Sequence, residues 1–327
     1  MIFIFCITIN FIKTQGFTLR DGDTIIDNYT VARISDHFFA VCFRESFPLP
    51  NSWDILCSKV DSKTRTKTNA IVVVNEIGEQ SNNYILEMNG KLILIWFNND
   101  NLIIYGTILN SNFSKLTNDL ALFQGYNPGL CTLSDNTLLI YYRDSSQNSY
   151  SQQFNAIAQN ALTMNNLKNY TPNTIINCHG LQKGNVVIAY LNKENQKMYL
   201  MIQDVNNIVI KQTELGGSGS NFEFAESHLN DILVVWESPV EGSPNVYYRL
   251  FNSRLEPISE FTRVNIQSNG TQPRLTTYNG GKNVLIAWKG SITFRIFDFT
   301  TKSLNEEFII NYSNPKDIRL TSNKYGD

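Results

Sequence analysis

Six unbroken apolar runs punctuate the chain at a near-constant interval. They read FFAVCF, LILIWF, LLIYYR, VVIAYL, ILVVWE and VLIAWK, with aromatics at Phe43, Trp96, Tyr142, Tyr190, Trp236 and Trp288. Successive aromatics lie 53, 46, 48, 46 and 52 residues apart. A period of this size marks solenoids, propellers or arrays of supersecondary units. A strand covered on one face alternates apolar and polar residues, whereas an unbroken run is covered on both. The closing aromatic then fills the gap between neighbouring sheets, where its large apolar area is buried.

The surroundings of each run repeat too. A preceding segment often begins near proline (Pro128, Pro172, Pro273) and ends in a turn such as MNGK, LSDN or YNGG. Gly, Asn and Asp at these places are hairpin signals. A third segment alternates, as in Val246 to Phe251 and Ile292 to Phe297, and a short fourth ends in Asn: Ile71 to Asn75, Phe261 to Asn265, Phe308 to Asn311. Each unit therefore predicts a four-stranded antiparallel meander whose second strand is sandwiched between adjacent sheets, the geometry of a β-propeller. Gln152 to Tyr170 comes closest to a helical pattern and falls where the third unit's outer strands belong.

Six complete units span Tyr29 to Asn311. Two fragments lie outside them. FTLRDGDTIID (17–27) reads as outer strands, and NPKDIRLTS (314–322) as a first strand. Together they predict a composite seventh blade that closes the ring by joining the chain ends.

QPRLTTYNGGKNVLIAW with FRIFDF and FIIN, and FEFAESHLNDILVVWES with VYYRLF and RVN, resemble the repeat of secreted tandem-repeat β-propeller proteins of bacteria and single-celled eukaryotes. The resemblance covers most of the chain, with the first, third and fourth units fitting loosely. It implies an extracellular binding or adhesion role and carries over no catalytic residue. Trp-Asp occurs only at Trp53-Asp54, so the WD-repeat signature is missing.

Composition narrows the partners. There are 27 basic and 29 acidic residues, a formal net charge of −2, and no basic run, which argues against nucleic acid. Residues 1–16 read as a signal peptide: Ile2 to Ile12 is apolar but too short to span a bilayer, and Gln15 or Gly16 suits cleavage. Residues 17–327 then form one propeller domain, secreted or at the cell surface, with no membrane span in the mature chain. Cys42, Cys57, Cys131 and Cys178 survive that cleavage, and an even number in a secreted chain permits two disulfides. Cys42 with Cys57, on successive strands, and Cys131 with Cys178, on equivalent strands of neighbouring sheets, are the preferred pairs; four buried free thiols are the alternative. The five Asn-x-Ser/Thr sequons are about what 41 Asn residues produce by chance.

Catalytic sets are sparse. Arg33, Arg274 and Arg319 sit on first strands and are candidates to clamp a carboxylate near the axis. Glu87, Glu223 and Glu226 are the acids a glycosidase would draw on. His37, His179 and His228 lack a nucleophile elbow, and Asp21, Asp23 and Asp27 lack EF-hand spacing. No catalytic, cofactor-binding or metal residue is assigned, and no cofactor is implied. The reading is a non-enzymatic scaffold for a protein partner, using the loops Phe47 to Trp53, Asp144 to Ser149 and Pro239 to Asn245. The alternatives are a lectin-like glycan binder with Trp53 as a stacking platform, or a diverged glycoside-processing enzyme.

Overall fold

A computed structural model describes residues 26–46, 53–64, 66–75, 78–134, 137–155, 163–170, 173–216, 219–239, 243–266, 269–289, 292–310 and 320. The described chain folds into six antiparallel sheets in chain order. Blade 1 holds β1 (Ile26–Arg33), β2 (Phe38–Ser46), β3 (Trp53–Asp61), β4 (Thr66–Lys67) and β5 (Ile71–Val74). Blade 2 holds β6 (Gln80–Met88), β7 (Lys91–Asn98), β8 (Ile103–Leu109) and β9 (Leu120–Gln124). Blade 3 holds β10 (Tyr126–Ser134), β11 (Thr137–Arg143), β12 (Ser149–Asn155) and β13 (Thr163–Asn169). Blade 4 holds β14 (Asn173–Gly180), β15 (Val186–Asn192), β16 (Lys197–Gln203) and β17 (Val209–Glu214). Blade 5 holds β18 (Ser220–Glu226), β19 (Ile232–Ser238), β20 (Asn245–Phe251) and β21 (Thr262–Arg263). Blade 6 holds β22 (Thr271–Tyr278), β23 (Asn283–Lys289), β24 (Ile292–Asp298), β25 (Ser303–Leu304) and β26 (Phe308–Ile310). This is the all-β propeller of meanders that the repeat predicts, with six blades described.

The stretch of blade 3 that comes closest to a helical pattern supplies outer strands, β12 and β13, as its place in the repeat predicts; Phe154 faces the blade 2 interface and is fully buried there. One expectation needs correcting. Ile26 and Asp27, read as part of an outer strand, belong to β1, where they pair with Glu45 and Arg44. Most of the two end fragments lies outside the described residues, as does the signal segment.

The six apolar runs are the second strands, and five of their closing aromatics lie between described sheets. Trp96, Trp236, Trp288 and Phe43 are fully buried, and Tyr190 and Tyr142 nearly so. Trp96 packs between blades 1 and 2, Tyr142 between 2 and 3, Tyr190 between 3 and 4, Trp236 between 4 and 5, and Trp288 between 5 and 6. Each therefore meets the preceding blade and belongs to the core. Gly219 and Gly270 sit just before the first strands of blades 5 and 6 because an indole lies there: a Cβ would meet Trp236 Cδ1 at 2.4 Å and Trp288 Cδ1 at 2.8 Å.

First strands share a second device. All six carry a register shift at the same place, between Asp27 and Thr30, Ser81 and Tyr84, Tyr126 and Gly129, Ile175 and Asn177, Ser220 and Glu223, and Thr271 and Arg274. A bulge adds local twist and re-aims side chains. In four of them a residue takes positive φ: Asn82, Asn127, Asn221 and Gln272. Asn tolerates that conformation better than most residues. Asn and Asp also close the outer hairpins. The Oδ1 atoms of Asn98, Asn110, Asp144, Asn192, Asp204, Asn252 and Asp298 each accept backbone N–H bonds from residues two to four positions on. The Asn-rich composition is thus used by the turns.

Candidate functional site

First strands line the axis and position most of the candidate groups. They are stitched to one another by polar contacts. Thr30 Oγ1 accepts the Ile85 N–H at 3.1 Å, and the Tyr141 hydroxyl donates to Ile176 O at 3.2 Å and Asn177 Oδ1 at 3.3 Å. Asn177 Nδ2 donates to Phe222 O at 2.5 Å, and Arg274 Nη1 to Glu223 Oε1 at 3.0 Å. Blade 3 has Gly129 where its neighbours carry side chains, because the Tyr141 ring fills that space: a Cβ there would lie 1.9 Å from Tyr141 Cζ. Burial pushes the Tyr141 pKa well above its ordinary value, so the phenol stays a neutral donor.

Of the Arg and Glu candidates, the structure brings Arg274 and Glu223 together as an ion pair. Arg33 lies at the β1–β2 hairpin and pairs with Asp36 at 2.8 Å, whereas Arg274 holds Glu223. Arg319 lies outside the described residues. Glu87 turns back on its own hairpin and accepts the Gly90 N–H at 2.6 Å. Glu226 Oε2 accepts the Gln182 N–H at 2.6 Å, while Gln182 Nε2 donates to Ser227 O at 3.2 Å. Burial raises the Glu226 pKa, against the opposing effects of that N–H and of Lys183. His228 N–H donates to Gly281 O at 3.1 Å, so the hairpins of blades 4, 5 and 6 are tied in sequence. His37 lies at the β1–β2 turn, with its carbonyl accepting from Ser62 N–H at 2.8 Å. His179 stacks on Phe224 with ring centroids 6.4 Å apart, and burial lowers its pKa to about 4, so the imidazole is neutral at pH 7. Among the described residues no three His, Cys, Asp or Glu side chains gather as a metal site requires.

On the same hairpin face, blades 2, 3 and 4 line an open pocket of about 580 Å³. Met88, Leu133 and Leu181 form its apolar floor; Glu87, Asn89, Thr132 and Gln182 are among the polar residues at its rim. An apolar floor with a few polar groups above it takes an apolar side chain or small apolar group and orients it by hydrogen bonds. Sequence reasoning missed this site. Its only sequence trace is the run of 1–2 hairpins themselves, whose facing is set by the closure of neighbouring blades.

The opposite end carries Trp53 at the start of β3. Arg44 lies over its ring, 4.1 Å from the centroid, and its Nη1 pairs with Glu79 Oε1 at 2.7 Å. One face of the half-buried indole is therefore occupied by a cation. Of the three candidate loops, Asp144 to Ser149 is fully described and is held by Asp144, which accepts from Ser146 and Asn148; the other two lie partly outside the described residues. Cys42 and Cys57 are disulfide-bonded within blade 1, across the β2–β3 pair, and Cys131 and Cys178 are bonded between the first strands of blades 3 and 4. Among the described residues no helix is long and apolar enough to cross a membrane.

No protein-family model matches the sequence, and no curated protein matches it. Solved structures share its fold. Hydrazine synthase from Kuenenia stuttgartiensis superposes with a TM-score of 0.60 at 10% identity, over 83% of this chain and 76% of that one. The β-propeller domain of Cps50 (Swd1) from Myceliophteria thermophila gives 0.58 at 10% identity, covering 93% of both chains. The β-propeller domain of the Trilobed protease from Pyrococcus furiosus, described as having an open velcro topology, gives 0.55 at 10% identity over 86% and 82%. At such identity these likenesses speak to the fold alone.

Proposed function

We propose that this chain is a secreted scaffold that binds another protein through its hairpin face, with the cavity between blades 2, 3 and 4 as the anchor point. The observation that carries this reading is the division of labour at the axis. The described acids and arginines there are engaged in structural pairs, whereas the open cavity offers apolar floor and polar rim. Such a site suits an apolar side chain of a partner. Two cystine links favour an oxidising compartment, where disulfides persist.

The scaffold is a closed ring in this reading, with the chain ends filling a seventh place. Arg319-Leu320-Thr321-Ser322 matches Arg274-Leu275-Thr276-Thr277 of β22. Leu275 packs in the cluster holding Leu233 and Val235 of blade 5, and Leu320 packs on Leu285 and Ala287, their counterparts in blade 6. That correspondence supports 314–322 as the first strand of a seventh sheet.

Affinity purification from the native source tests the function. A protein should co-purify with the wild type and be lost with Thr132→Trp, which fills the cavity from its exposed rim. Recovery of no protein, or equal recovery by the variant, sinks the reading. Hits on a glycan array would transfer the role to the lectin alternative.

A further inference from the structure

The pocket between blades 2, 3 and 4 carries a single sign of charge. Glu87 is the sole ionisable side chain among the described residues that line it. Its Oε1 is engaged by the Gly90 N–H at 2.6 Å, which leaves Oε2 as a single-point acceptor at the rim. Lys183, next to Gln182 on the blade 4 hairpin, is not among the lining residues; it acts on Glu226, whose raised pKa it opposes. The floor is aliphatic. Met88 and Leu133 are buried, Leu181 is half-buried, and no aromatic ring is among the described lining residues. Blade 4 presents bare backbone at Gly180 and Gly184. Gly180 comes so close to blade 3 that a Cβ would meet Thr132 O at 1.6 Å.

We infer that this pocket takes a lysine side chain of the protein partner, with the ammonium on Glu87 Oε2 and the stem along Met88, Leu133 and Leu181. This rests on the reading that the pocket anchors a protein, and it adds which residue type is anchored. A long apolar stem ending in a compact cation matches an aliphatic floor with one carboxylate at its edge. A guanidinium is served less well, because it is held best by two parallel bonds to a carboxylate or by the face of a ring. The space, about 580 Å³, also admits the backbone that carries the lysine, and Asn89, Thr132 and Gln182 are polar residues at the rim to meet it. A residue within a chain therefore uses the pocket more fully than a free amine.

Titration of the full chain, labelled with 13C-methyl methionine, with Nα-acetyl-lysine methylamide tests this. The Met88 methyl signal, assigned by its loss in Met88→Leu, should shift saturably. The same probe acetylated at Nε is neutral at its tip and should bind at least about fivefold more weakly. The lysine probe should lose a similar factor on Glu87→Gln, which keeps an oxygen for the Gly90 N–H and removes the charge. The two probes are compared on the wild type, so the result does not depend on a variant folding. Absence of a saturable shift, equal binding of the two probes, or tighter binding of the arginine analogue overturns the inference. A protein that co-purifies with the wild type, is lost with Thr132→Trp and is retained undiminished by Glu87→Gln would overturn the lysine anchor and leave the protein-binding pocket standing. Saturable, charge-dependent binding of the probe with no co-purifying protein would support the lysine site and sink the protein-partner reading.

Discussion

The interface between blades 4 and 5 and the outward face of blade 1 are built from the same sequence pattern and meet different neighbours. Between blades 4 and 5, Val187, Ala189, Leu200 and Ile202 from one sheet interlock with Phe222, Val234 and Trp236 from the next. On blade 1, Phe43 holds the place of Trp236, yet among the described residues its cluster draws on one blade only. The difference shows that a repeated unit carries half of each interface and depends on the next unit for the rest. The ends of the array need a partner surface of another kind, and blade 6 shows a beginning of one in Leu320.

Truncating the two aromatics turns that contrast into a measurement. Trp236→Ala should lower stability by about 3–5 kcal/mol in denaturant unfolding, the usual cost of emptying a large core site. Phe43→Ala should match it if the seventh place is filled. A Phe43→Ala loss of less than about 1 kcal/mol would mean that this face gains little from what covers it.

The disulfides sharpen the comparison next. Cys131 and Cys178 are 47 residues apart and tie two blades, whereas Cys42 and Cys57 are 15 apart within one. Chain-entropy reasoning assigns about 4 kcal/mol to the longer loop and about 3 to the shorter. Replacing Cys131 and Cys178 by Ser should therefore lower the unfolding midpoint more than replacing the other pair, and the reverse order would point to dominant native-state effects.

His179 gives a smaller, pH-dependent effect. Its pKa is about 4 in the folded chain, against an ordinary 6.5. The unfolded chain thus binds more protons between those values, and stability is full above pH 6.5 and falls as the pH drops toward 4. The residue keeps some exposed surface, which moderates the loss. His179→Phe should flatten Tm over this window, and an unchanged pH slope would contradict the assignment. The smallest effect belongs to Glu223→Gln. The Arg274–Glu223 pair is partly solvated, so the loss should be about 1 kcal/mol or less by thermal melting.

Much of this architecture was legible in the spacing of six aromatics, because double burial leaves an unbroken apolar run that chance rarely repeats. Blade 3 was less legible because Gln152 to Tyr170 is polar and locally helix-like, while its strands are set by pairing, β12 with β11 and β13 with β12. The glycines at 219 and 270 stand 17 and 18 residues before Trp236 and Trp288, a signal present in the sequence and unread. The site was far less legible. Glu87, Glu223 and Arg274 look like chemistry in a one-dimensional reading, but their roles are set by hairpin return and by neighbouring blades. The cavity floor combines Met88, Leu133 and Leu181 from three units, and no spacing rule brings those together.

Mutual shielding of the sheets is tested most directly by amide hydrogen exchange along the second strands. Val41–Phe43 in blade 1 and Val284–Trp288 in blade 6 should exchange as slowly as Leu92–Trp96 and Leu233–Trp236 in the middle of the array. Fast exchange confined to the two end blades would contradict a ring in which every sheet is covered on both faces.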